Sequence, residues 1–348
     1  MSRLTIEELA IPASVDDADA GDFVEMTRVR NEIEADTSGT FDLAYTPREL
    51  LPAWQDTDEP KRLFVARIDG RIVGRAVHEV QSGEGVRSAW LEVEVAPVHR
   101  RHGIGGALYD TVAGIATGEG RTILHAFTLH RADLAGPRLD SPTGYGSVPR
   151  EDAGARFLLS RGYRLAQVER SSRLTLPAAV TGFTPPPGYS LEFWAGPTPE
   201  HRLADLAVLN AAMSTDPPLG DTDWQPELWD EERVRRKDTL NETEGRLWLT
   251  TAVRHDASDR LVGFTNLAVP AEHHRPVFQN DTIVLKAHRG HRLGLVVKLA
   301  NLARLQELSP GHPCIYTWNA EENRHMLEVN ERIGFLAVGY PGTWRLDL

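Results

Sequence analysis

The sequence predicts an α+β protein built as two tandem domains, each a mixed β-sheet flanked by helices. Three observations carry that expectation. A chain of 348 residues is long for one core and suits two. The same order of strand and helix patterns occurs twice, and the proline-rich stretch Thr184–Gly188 lies between the copies, where it can continue neither a helix nor a central strand. The expected domains are 1–178 and 189–348, with 179–188 as linker.

The elements correspond in order. LTIEEL opens the first half as a strand, followed by a helix around 20–34 whose Phe23, Met26 and Val29 share one face. YSLEFW and a helix around 199–213, with Leu203, Leu206 and Leu209, open the second. Hairpins follow at 62–80 and 246–269, each with a Val-Gly pair in its second strand. Strand, basic loop and apolar helix then run through 90–116 and 280–305, where Leu295, Leu299 and Leu302 form the second helix's stripe. Each half closes on a strand and a helix ending in Gly plus an aromatic. An irregular insertion, 131–152, separates the last two elements of the first half.

With 41% hydrophobic and 25% charged residues, the composition is that of a soluble globular protein. No apolar run approaches the roughly 20 residues of a membrane span and the N-terminus is acidic, so a cytoplasmic protein without a membrane partner is expected. A net charge of −12 argues against nucleic-acid binding. It suits long-range attraction of a cationic small molecule, and it equally suits plain solubility. The single cysteine, Cys314, sits in the apolar run CIYTW and reads as a buried structural thiol rather than a nucleophile.

Two stretches carry chemistry: HRRHGIG at 99–105 and HRGHRLG at 288–294. The first amides of a helix lack intrahelical partners and sit at the positive end of its dipole, so a glycine-bearing loop that enters a helix can cradle phosphate. Gly103, Gly105 and Gly106 would let a diphosphate approach, with Arg100 and Arg101 adding charge-assisted bonds. Neither stretch ends in the Gly-Lys-Ser/Thr of a Walker loop, and Leu108 stands where a dinucleotide fingerprint needs glycine. His99 and His102, or His288 and His291, lack companion ligands, so no metal is expected. The bland alternative is an arginine-rich turn with no ligand; its repetition at the same place in both halves weighs against it.

Arg100-x-x-Gly103-x-Gly105, preceded by Val93-x-Val95-x-Pro97 and followed by an apolar helix, resembles motif A of the GNAT superfamily of acyl-CoA-dependent N-acyltransferases. Asn319, Asn323 and MLEVNERIGF resemble its motif B, and ARFLLSRGY is a weaker copy. The resemblance spans nearly the whole chain, in a tandem arrangement similar to that of mycothiol synthase. It implies acetyl-CoA or another acyl-CoA. The diphosphate would lie on the loop amides of Arg100, Arg101, His102, Gly103, Ile104, Gly105 and Gly106, or of Arg289, Gly290, His291, Arg292, Leu293, Gly294 and Leu295. The pantetheine arm would pair beside Val93 and Val95, or beside Ile283 and Val284, with Asn319 and Asn323 completing the cofactor site.

Acyl transfer to an amine needs a base, a polarised thioester and a proton for the leaving thiolate. Glu92 and Asp281 each lie eight residues before the loop arginine and are the base candidates. Glu94 shares Glu92's face; the alternative for any of them is a partly solvated strand position. Leu158 and Asn330 match the tyrosine that serves as acid in many family members, so the proton must come from solvent or from another group such as Tyr316. Arg292 replaces the first motif glycine and is expected to hold its amide in place with helix-like torsions. Asp221, Asp223, Trp224 and Trp229, in the loop 214–233, are candidates for binding a cationic amine by charge and cation–π contact. The alternative there is a solvated acidic loop whose tryptophans pack on the core.

The second half is favoured as catalytic, with the first as a cofactor-binding or structural partner. The leading expectation is an N-acetyltransferase acting on a primary amine of a small molecule in a ternary complex. A degenerate acyl-CoA-binding or sensing protein, and an acyltransferase with another donor or a hydroxyl acceptor, are the alternatives.

Overall fold

A computed structural model describes residues 3–348 apart from Glu84 and Ala132. Met1 and Ser2, at the start of the expected first domain, lie outside the described residues. The elements are β1 (Leu4–Glu8), α1 (Gly21–Ser38), α2 (Pro47–Gln55), β2 (Lys61–Ile68), β3 (Arg71–Glu79), β4 (Ser88–Val95), α3 (Ile104–Gly118), β5 (Ile123–Thr128), β6 (Arg138–Asp140), β7 (Ser147–Pro149), α4 (Ala153–Leu159) and β8 (Arg164–Thr175). There follow β9 (Tyr189–Ala195), α5 (Leu203–Met213), α6 (Glu231–Thr243), β10 (Leu247–His255), β11 (Arg260–Val269), β12 (Val277–Val284), α7 (Leu293–Leu308), β13 (Cys314–Ala320), α8 (Arg324–Ile333), β14 (Leu336–Gly339) and β15 (Gly342–Asp347).

Packing divides the chain into two compact units. Unit 1 comprises Met1–Glu169, Gly220–Gln225 and Gly339–Leu348; unit 2 comprises Arg170–Leu219 and Pro226–Val338. The division therefore falls inside β8 rather than at 179–188, because residues of β8 up to Val168 pair with β15 in unit 1, whereas Leu174 packs in the core of unit 2. In unit 1 the strand order is β1-β2-β3-β4-β5-β15-β8. In unit 2, β13-β12-β11-β10-β9 repeats the central part of that plan.

Each sheet is sandwiched between helices, so its strands are apolar on both faces. In unit 1, Phe23, Met26, Val29 and Ile33 of α1 pack against Leu63, Val65 and Val77, while Leu108 and Val112 of α3 cover Phe64, Ala76 and Leu91 on the opposite face. In unit 2, Leu203, Leu206 and Leu209 of α5 pack on Ala252, Phe264 and Ile283, and α7 sets Leu302 and Leu305 against Leu249, Leu267 and Val277. The Val-Gly pattern has a steric cause. A Cβ at Gly74 would lie 2.7 Å from the Glu94 carbonyl, and one at Gly263 would lie 2.7 Å from that of Ile283. Any side chain there would push the neighbouring strand away.

Within each sheet, β4/β5 and β12/β13 are parallel pairs, and both are short. β4 pairs with β5 only from Ser88↔Ile123 to Trp90↔His125; β12 pairs with β13 only at Val277↔Ile315 and Phe278↔Tyr316. Beyond those points the strands diverge, leaving one backbone edge of Leu91–Val95 and of Gln279–Val284 without a strand partner among the described residues. β8, β14 and β15 are absent from the sequence expectation. The insertion 131–152 contains the small ladder β6/β7 and ends at Asp152, whose carboxylate meets His130.

Candidate functional site

The two basic loops are built alike. In unit 1 Arg100 donates from Nε to the Val95 carbonyl at 2.9 Å and from a terminal nitrogen to Asp36 at 2.8 Å. In unit 2 Arg289 donates to the Val284 carbonyl at 2.9 Å and to Asp216 at 2.7 Å, and Lys286 lies 2.9 Å from the same carboxylate. Each first arginine thus ties its loop to the strand before it and to a carboxylate at or just beyond the end of the first long helix. Ile104 and Leu293 anchor the helix starts in the cores.

Both loops turn through two left-handed residues, Arg101 (φ 66°) and Gly103 (φ 81°) in one, Gly290 (φ 87°) and Arg292 (φ 58°) in the other. The helix-like torsions expected of Arg292 are therefore not adopted. The entry into α7 requires the same reversal that Gly103 supplies to α3, and arginine takes it at a cost of about 1–2 kcal/mol. Each loop holds one glycine and one arginine at its two strained positions, in opposite order.

The helix starts differ in what covers them. A Cβ at Gly105 would meet the Phe157 ring at 3.4 Å and Val95 at 3.6 Å, and one at Gly106 would meet Arg161 at 3.3 Å. The Arg161 guanidinium lies over the rings of Phe157 and Tyr109, at 3.9 and 4.6 Å. In unit 2 nothing lies within 4 Å of a Cβ at Gly294. The space a side chain would take is open at Gly294 and at Gly103, and is lined by side chains at Gly105 and Gly106.

The central strands differ too. The register of β3 with β4 runs unbroken from Gly74↔Val95 to Glu79↔Trp90. That of β11 with β12 jumps from Thr265↔Thr282 to Leu267↔Gln279, so Asn280 and Asp281 face the single residue Asn266. Side chains confirm the bulge: Thr282 meets Thr265 Oγ1 at 2.7 Å and Gln279 donates to that same oxygen at 2.9 Å, placing both on one face. Alternation from Val277 and Ile283, which pack on the α7 and α5 layers respectively, then puts Asn280 and Asp281 together on the α5 face. An extra residue in a bulge leaves the ladder incomplete, here beside the point where β12 and β13 part.

Residues 26–134 match the model of the acetyltransferase (GNAT) family. The chain superposes on a tandem GNAT protein from the clavulanic acid biosynthesis pathway with a TM-score of 0.77 at 23% identity, covering 99% of this chain and 98% of that one. It is also similar to a GCN5-related N-acetyltransferase from Sphaerobacter thermophilus (TM-score 0.65, 14% identity, 99% and 95% covered). No curated protein matches the sequence significantly. This is a tandem GNAT fold. Fold and family match together support acyl transfer as the general chemistry, and no described helix is long and apolar enough to cross a membrane.

Within the GNAT frame the expected residues separate. Glu92 and Glu94 both bind the buried Arg75 guanidinium, at 3.1 and 2.5 Å. Asp281 is exposed in the bulge. Tyr316 is buried on the α5 face in a row of rings, with centroids 6.5 Å from Phe278 and 6.1 Å from Trp318. Val93, Val95 and Val284 line the α3 and α7 sides of the open edges, whereas Ile283 is buried under α5. His102 and His291 hydrogen-bond to loop carbonyls, of His99 at 3.4 Å and of His288 at 3.3 Å. Asn319 accepts from Asn330 at 2.7 Å, and Asn323 caps α8, accepting from the Met326 amide at 3.3 Å.

The four acceptor-loop residues are not brought together. Asp221, Asp223 and Trp224 belong to unit 1, where Asp221 pairs with Arg164 and the Asp223 amide donates to His125 Nε2 at 3.3 Å. Trp229 stays in unit 2, under the Arg233 guanidinium at 4.1 Å and donating to Glu227 at 3.1 Å. The six residues Gly220–Gln225 pack into unit 1, and Trp224 lines an open cavity of about 150 Å³ with Val77, Glu79, Trp90, Glu92 and Phe127. Burial raises the Glu79 carboxyl above its ordinary range and holds His125 down to about 4, hence neutral. Sequence reasoning missed this cavity, Arg75, the bulge and the buried Lys298. Only a charged residue inside an apolar helix pattern, LGLVVKLANL, offered a signal for the last of these.

Proposed function

We propose that unit 2 transfers an acetyl group from acetyl-CoA to a primary amine of a small molecule, by direct attack in a ternary complex. Acetyl-CoA would supply the acyl group as a thioester, whose carbon–sulfur bond breaks as the new carbon–nitrogen bond forms. The bulge at Asn280–Asp281, on the strand that leads into the α7 loop, carries this reading. Amides of Arg292, Leu293, Gly294 and Leu295 suit a diphosphate, since neither a side chain nor a Cβ stands over Gly294. The open edge of β12 offers backbone groups to an extended arm. The bulge interrupts the β11 ladder, and a backbone amide there would polarise the thioester carbonyl. Asp281, exposed on the α5 face, would take the proton from the incoming ammonium. Asn330 cannot protonate the leaving thiolate, so that proton would come from solvent.

Unit 1 is the weaker candidate for the chemistry. Side chains stand beside Gly105 and Gly106, its β4 ladder is unbroken, and its strand carboxylates are ion-paired to Arg75. The experiment is turnover by Asp281→Asn, measured as thiol release against a panel of amines. A fall of about 10²–10⁴-fold in kcat with acetyl-CoA affinity retained supports the reading, and unchanged turnover contradicts it. Asn330 at the position of the usual acid favours one other reading, an acyl-CoA-binding protein without turnover, for which wild type would bind acetyl-CoA and release no thiol with any amine.

A further inference from the structure

Lys298 lies in the second turn of α7 and is buried, only 4% exposed. Its Nζ donates to a neutral partner, Asn330 Oδ1, at 2.9 Å, and the Phe335 ring lies 5.9 Å away. Burial alone lowers the lysine to about 7. A methionine would fill this space at less cost, so the amine calls for an explanation.

The direction of the hydrogen bonds provides it. An ammonium has donors and no acceptor, so it turns the Asn330 amide until Oδ1 faces it. Asn330 Nδ2 must then point the other way, and it donates to Asn319 Oδ1 at 2.7 Å. That fixes the second amide as well, turning Asn319 Nδ2 away from Asn330. Asn319 is half-buried on β13, beyond the last residue paired with β12, and on the face toward α7. A donor is thereby aimed from the region where the two strands diverge, with its orientation set by a buried cation two side chains away.

We infer that Lys298 is a positioning residue, which orients the Asn330–Asn319 amide pair so that Asn319 donates to a carbonyl oxygen of the acyl-carrier arm. The inference rests on the reading that unit 2 binds acyl-CoA, and it adds the device that sets the polarity of one wall of that cleft. The ligand group it selects is an acceptor, such as an amide or thioester carbonyl.

Two substitutions separate positioning from packing. Lys298→Met keeps length and apolar volume but cannot donate; Asn330→Asp keeps size and still accepts from Lys298, yet has no N–H for Asn319. Acetyl-CoA is titrated calorimetrically into each at pH 6, where the lysine is charged, alongside thermal unfolding. The expected result is affinity about tenfold weaker in both variants, with the unfolding temperature of each equal to or above that of wild type. A residue that served only packing would leave the affinity of Asn330→Asp unchanged, and wild-type affinity in either variant overturns the inference. Absence of binding by wild type would overturn the acyl-CoA reading itself, and the inference with it.

Discussion

Arg75 governs what the carboxylates of unit 1 can do. Its guanidinium is buried between Glu92 and Glu94, and the ion pairs hold it charged, well above the ordinary arginine range despite burial. Both strand carboxylates of unit 1 are thus engaged by one buried cation, and Asp281 of unit 2 is exposed in its bulge. Removing the cation would leave two carboxylates facing each other. Arg75→Met should therefore cost about 3–5 kcal/mol, read as a lower urea midpoint, while Glu92→Gln should leave turnover unchanged. Lys298 gives a second residue-scale prediction. Folded, it is held to about 7 against an ordinary 10.5, so between those values the unfolded chain binds more protons and stability rises with pH. Lys298→Met should thus stabilise the protein most at pH 6–7, with the gain shrinking toward pH 10; a gain independent of pH would contradict the assignment. Glu92 and Asp281 were legible from their spacing to the loop arginines. What distinguishes them was not, because Arg75 reaches Glu92 from the neighbouring strand and the bulge depends on how β11 and β12 pair.

At the scale of elements, the glycine-bearing loops are legible in the sequence as entries to helices, with Arg100 and Arg101 as candidate phosphate ligands. Arg100 and Arg289 also tie each loop to a strand carbonyl and a carboxylate. The strain they help to hold is testable. Arg292→Gly should raise stability by up to about 1 kcal/mol, since glycine takes φ 58° without a Cβ clash, and Gly290→Ala should lower it by about 1–2 kcal/mol. Equal stability of both variants in urea unfolding would show that the loop relaxes. Periodicity found the paired helices and hairpins because both halves bury sheet faces against helices. It could not show that Phe157 stands beside Gly105, which depends on where α4 lies against α3.

For the whole molecule, the order of units along the chain is not the order of packing. β15 comes from the C-terminal end of the sequence yet pairs with β5 and β8 in unit 1, where Trp344 is fully buried and donates to Thr128 at 2.8 Å. No local pattern marks such an exchange, so a boundary drawn at the prolines misses it. Trp344→Ala should cost about 3–5 kcal/mol. A fragment ending at residue 178 should remain unfolded by circular dichroism, because it lacks both β15 and the segment that carries Trp224; a cooperative unfolding transition from that fragment would refute this account of unit 1. The central claim concerns unit 2, and calorimetric titration of acetyl-CoA tests it most directly. Wild type should bind one equivalent and Gly294→Trp, whose side chain would fill the open space at that position, should bind none. Undiminished binding by Gly294→Trp would contradict the account.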